Sequence, residues 1–127
     1  MKISLLNGFF IIGKMCNSKN LTEYIESSNI FSIIREESVN TFILEFVKED
    51  EIVIPDCLDA SDSIWMGFKT TELNFSETGI LTGILKPIAD IKVSVLVISS
   101  YDRDYIFVEK NNISKVKRIF MNSNLLV

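Results

Sequence analysis

Tyr101-Asp102-Arg103-Asp104-Tyr105 gathers two aromatic rings, a guanidinium and two carboxylates into five residues. Arg103 can hold a ligand phosphate or a partner's carboxylate, and a tyrosine can stack on a base or anchor a protein surface. In the plainer alternative, Asp102 and Asp104 neutralise Arg103 at an exposed hairpin. Lys110, Lys115, Lys117 and Arg118 bring together four of the chain's thirteen basic residues. Read as a strand, Lys115 and Lys117 share a face that suits phosphate binding or the protection of an open sheet edge. Trp65-Met66-Gly67-Phe68 is a third candidate, since an exposed Trp beside a flexible Met anchors a protein partner while a buried one is core. Asp56, Asp59 and Asp62 surround Cys57, yet their spacing departs from the Asp-x-Asp-x-Asp-Gly calcium loop. No metal site and no cofactor are expected.

The chain has no histidine, which excludes Ser-His-Asp and Cys-His catalysis and the commoner zinc sites. Its two cysteines, Cys16 and Cys57, cannot complete a structural zinc site and read as buried thiols rather than a bridge. No catalytic residue is assigned, and paired carboxylates are the one hydrolytic route left open. The expectation is a non-enzymatic binding module. A formal charge of −4 argues against non-specific binding to a nucleic-acid backbone, although a local basic patch is compatible with it.

The elements that must position these residues read mostly as strands. At 127 residues the length suits one domain, 1–127. An apolar content of 47% is too high for disorder. No apolar run approaches the roughly 18 residues of a membrane helix, and no signal-peptide pattern opens the chain, so a cytoplasmic location is expected. Asn7-Gly8 lies between two apolar runs and predicts a tight hairpin joining strands near residues 2–6 and 9–15. Residues 21–37 read as a short helix or turn, near residues 20–28, followed by a strand. Further strands are expected at 41–47, 52–54, 64–68, 72–75, 92–99, 105–108 and 113–120, with 92–99 as the central one. Pro87 is read as preceding a turn near Ala89-Asp90. About eight to ten short strands at this spacing predict an all-β fold, a small bent barrel or sandwich.

Leu5, Asn7-Gly8 and Gly13-Lys14-Met15 resemble the first motif of Sm-like (LSm, Hfq-type) proteins, and Lys19-Asn20-Leu21 is similar to its ending. Val108-Glu109-Lys110-Asn111-Asn112-Ile113 looks like the second motif. The resemblance implies a bent five-stranded barrel, rings of subunits joined by strand pairing, and single-stranded RNA or a small nucleotide as ligand. Asn20, Arg103, Lys110 and Asn111 would then be the ligand-binding residues. The alternative reading is a phage-type or bacterial accessory or inhibitor protein acting by protein–protein binding, with Trp65, Phe68, Tyr101 and Tyr105 at the interface. The richness in Ile, Asn, Lys, Ser and Phe suits an AT-rich genome. A homo-oligomer is expected under the first reading, and no membrane association under either.

Overall fold

Asn7-Gly8 is where the chain leaves one compact unit and enters another. In the computed structural model, which describes residues 1–16 and 29–127, unit 1 combines Met1–Asn7 with Met66–Val127. Unit 2, Gly8–Trp65, is inserted between those two pieces. The expected hairpin is therefore absent. β1 (Ile3–Leu5) pairs with β6 (Trp65–Thr70) in the register Ile3↔Thr70, while β2 (Phe9–Cys16) pairs with β4 (Val39–Phe46). The β2–β4 ladder runs from Phe9↔Phe46 to Cys16↔Val39, more cross-strand pairing than three-residue β1 has to offer. Glycine is still required at the corner, with Gly8 at φ 117°.

Unit 2 orders its strands β5-β2-β4-β3, with β3 at Ile30–Arg35 and β5 at Asp59–Ala60. The odd positions of β2 and the even positions of β4 point inward, so Ile11 and Met15 meet Phe42, Leu44 and Phe46, closed off by Leu58. The charged turn after β4 becomes a short 3-10 turn at Glu49–Glu51. The strand expected at 52–54 is irregular chain, and Val53 and Ile54 are exposed. Cys57 is a free thiol on the surface, where the sequence suggested burial. The helix or turn expected near residues 20–28 falls outside the described residues.

Unit 1 orders its strands β1-β6-β8-β7, with β7 at Leu96–Ser99 and β8 at Asp104–Glu109. Two helices, α1 (Ile80–Asp90) and α2 (Ile113–Asn122), pack on this sheet. Ile84 and Ile88 of α1 and Val116 and Phe120 of α2 share one buried cluster with Ile3, Phe68, Ile106 and Val108 from the strands. The C-terminus closes over β1, as the Ile3 amide donates to the Leu125 carbonyl (2.8 Å) and the Val127 amide to the Ile3 carbonyl (2.8 Å).

Both helices correct the sequence reading. Gly79, Gly83 and Pro87 lower the helix propensity of α1, and Pro87 cannot donate to the Gly83 carbonyl. Burial of Ile84 and Ile88, one turn apart, outweighs that loss. Residues 113–120, expected as a strand, place charged and apolar side chains on both strand faces, whereas Ile113, Val116 and Phe120 lie on one helical face, and the core takes the helical solution. Residues 72–75 are irregular rather than strand, and the expected central strand 92–99 shortens to β7 at the end of its ladder. The fold is mostly antiparallel β, as the sequence predicts, with two helices that the expected barrel or sandwich of strands did not include. Among the described residues, no helix is long and apolar enough to cross a membrane.

Candidate functional site

A cleft of about 270 Å³ opens in unit 1 where three segments converge: the loop after β6, the start of α1, and the turn between β7 and β8. Backbone bonds hold these segments together. The Leu73 amide donates to the Asp102 carbonyl (2.6 Å), and the Ser100 amide to the Arg103 carbonyl (2.8 Å). Buried Thr70 accepts from the Asp104 amide through Oγ1 (3.0 Å). The Ser99 hydroxyl donates to Asp104 Oδ1 (2.6 Å). Within the loop, the Glu77 amide donates to the Asn74 carbonyl (2.9 Å) and the Ser76 amide to Asn74 Oδ1 (3.3 Å).

Arg103 lines this cleft. Its Nη2 lies 3.4 Å from Glu72 Oε1, and its Nε is buried with no hydrogen-bond partner. A pair with one carboxylate largely in water is worth at most about 1 kcal/mol, so the guanidinium can exchange Glu72 for a ligand at little cost. Gly79 caps α1 at φ 77° and offers no side chain to the first-turn amides. The start of an eleven-residue helix thus faces the cleft with its partial positive charge and unspent N–H donors. Phe75 and Tyr101 stand at the mouth, rings edge to face with centroids 5.1 Å apart, and both are largely exposed.

The residues singled out in the sequence are divided by this geometry. Arg103 and Tyr101 belong to the cleft, and Tyr105 follows on β8, partly buried. Lys110 and Asn111 sit in a 3-10 turn at the far end of β8 from Arg103, about 20 Å along a six-residue strand. Arg103, Lys110 and Asn111 therefore do not form one ligand site. Asn20 lies outside the described residues. Trp65 is 8% exposed and Phe68 fully buried, so both are core side chains with no surface to offer a partner. Lys115, Lys117 and Arg118 lie on the exposed side of α2, where the two-residue alternation of a strand no longer applies. Among the described residues, no group of acidic, Cys or His side chains is arranged to hold a metal ion.

Sequence reasoning missed Glu72, Phe75, Glu77 and the start of α1. The one available signal was Gly79 directly ahead of the apolar run from Ile80 to Leu85. That Phe75 is exposed could not be read from its type.

Residues 64–121 match the family model of the ACT domain. No curated protein matches the chain. Solved structures do. Protein Atu0741 from Agrobacterium tumefaciens superposes with a TM-score of 0.78 at 24% identity, over 99% of this chain and 91% of that one. VC0802 from Vibrio cholerae, described as a protein of unknown function and possible transport protein, gives 0.73 at 21% identity, over 95% and 88%. The aspartokinase alpha and beta subunits give 0.63 at 10% identity, over 96% and 98%. At these identities the likeness is one of fold. It overturns the Sm-like resemblance and the RNA ligand that resemblance implied: Gly8 and Gly13 belong to an inserted unit, and the second supposed motif ends in a helix. The chain is similar to the ACT domain over residues 64–121, and in fold to these solved structures over nearly its whole length.

Proposed function

We propose that the chain is a regulatory module that binds a small amino-acid-like molecule in the cleft of unit 1. The observation that carries this reading is the convergence of Arg103 and the uncapped start of α1 on one small cleft, inside the stretch that matches the ACT domain. Arg103 and the helix start suit a carboxylate, and Glu77, Asp102 and Asp104 in the same lining suit the ammonium beside it. A volume near 270 Å³ lies just below the usual range for small-molecule sites, about 300 to 1,000 Å³, and suits a small metabolite rather than a nucleotide. Among the fold relatives, Escherichia coli aspartokinase III is described in complex with aspartate and ADP. No catalytic step is assigned to the module; its output is a change of conformation or assembly transmitted to a partner.

Thermal unfolding with a panel of L-amino acids tests the reading. A ligand at a hundred times its Kd should add about 2.7 kcal/mol to stability. Arg103→Ala should weaken binding by about tenfold to a hundredfold, the worth of a hydrogen bond to a charged group, while leaving the unliganded melting temperature nearly unchanged. If no member of the panel raises the melting temperature at millimolar concentration, the reading fails.

β7 ends the unit 1 ladder among the described residues, and an open edge of this kind can accept a strand from a second copy. Native mass spectrometry should accordingly find a species at twice the chain mass. Monomer alone at micromolar concentration would remove the homo-oligomer from this account.

A further inference from the structure

Asn7 and Gly8 form the one Asn-Gly pair in the chain; every other asparagine precedes a residue with a side chain. The pair is a corner that belongs to neither β1 nor β2, and Asn7 is exposed there. Among the described residues, no hydrogen bond engages the Asn7 carboxamide or the Gly8 amide. The electrophile and the nucleophile of one ring closure therefore stand next to each other, unpaired and open to water. We infer that this corner is a site of spontaneous covalent modification, at which the Asn7 side chain cyclises onto the following amide and residue 7 becomes isoaspartate or aspartate.

Water is the only co-reactant. Solvent base removes the Gly8 amide proton, the nitrogen bonds to Asn7 Cγ, and the Cγ–Nδ2 bond breaks, releasing Nδ2 as ammonia with a proton from water. The cyclic imide that remains takes up water at either carbonyl. Breaking the new Cγ–N bond gives aspartate. Breaking the original peptide C–N bond gives isoaspartate, whose main chain runs through Cβ and Cγ. Nothing is oxidised or reduced. Glycine matters at residue 8 because a Cβ there would crowd the nitrogen as the ring closes.

The corner gives the product its consequence. On one side the Leu6 amide donates to the Gly67 carbonyl (2.8 Å), and on the other Phe9 opens the ladder opposite Phe46. An isoaspartyl link adds a main-chain methylene and a carboxylate between these anchors, with only residues 7 and 8 to absorb them. Gly8 has little slack, since even a Cβ there would press on the Phe46 carbonyl oxygen. The modified chain therefore loses pairing at the end of β1 or the start of β2.

Peptide mapping of the full chain, aged at neutral and mildly alkaline pH, tests the inference. Trypsin releases residues 3–14 as one peptide, in which Asn7 is the only amide side chain. That peptide should acquire two heavier forms, a hydroxyl replacing the amide, with isoaspartate the larger. Their rate of formation should rise with hydroxide concentration and lie within about tenfold of that in the same peptide free in solution. Asn7→Gln should melt with the parent and form neither product. Protection of the folded chain by more than about tenfold, or the same conversion in Asn7→Gln, would overturn the site. The isoaspartyl form, separated by ion exchange, should melt below freshly prepared Asn7→Asp, which carries the same charge on a normal backbone. Equal melting temperatures would overturn the consequence drawn for β1 and β2.

Discussion

Phe68→Ala should lower the unfolding free energy by about 3 to 5 kcal/mol, the cost of emptying a large buried aromatic site. Phe68 has no exposed surface, and its ring meets that of Phe120 edge to face at 5.0 Å and 89°. The pair ties β6 to α2, and the same cluster contains Ile84 and Ile88 of α1, so the cavity would open at the centre of unit 1. A urea titration followed by far-ultraviolet circular dichroism measures the loss. Tyr101→Ala, at an exposed ring, should stay within about 0.5 kcal/mol of the parent and serves as the control. A loss below about 1 kcal/mol at Phe68 would mean that this cluster is not the core of unit 1.

Gly8→Ala should cost about 2 kcal/mol or more, for two reasons that act together. At φ 117° the backbone is in a region L side chains rarely enter, and an added Cβ would lie 2.8 Å from the Phe46 carbonyl oxygen. That oxygen is main chain and cannot rotate away. Gly8→Asn separates this corner from the hairpin turn the sequence suggested. In a type I′ turn asparagine is well tolerated, because its φ there lies near the left-handed helical value. At Gly8 it should be nearly as damaging as alanine, as measured by melting temperature. An asparagine variant that melts with the parent would restore the tight-turn interpretation of Asn7-Gly8.

How much was legible follows from the range of the interactions involved. β2, β4, β6 and β8 lie within a few residues of their expected places, because β-branched and aromatic runs bounded by turn residues are written locally. The hairpin at Ser99–Asp104 was legible for the same reason, and with it Arg103 and Tyr101 at its turn. The two helices were not. α1 carries two glycines and a proline at or inside its bounds, so its helicity comes from burying Ile84 and Ile88 against strands far away in sequence. In α2, Ile113, Val116 and Phe120 already have helical spacing, and burial beside Phe68 and Val108 fixes that face in the core.

The cleft shows the same division. Arg103 attracted notice by its type, but Glu72 is distant in sequence and meets it only through the fold. Lys110 and Arg103 look close on paper, yet a six-residue strand sends them to opposite ends of the sheet.

By itself the sequence determined the acidic charge, the absence of imidazole chemistry, the positions of the longer strands and the need for glycine at residue 8. Tertiary structure decided which strands pair, which ambiguous runs coil into helices, and which charges share a cleft. Periodicity and side-chain chemistry act over a few residues, whereas pairing and burial are settled by contacts between segments that only folding brings together.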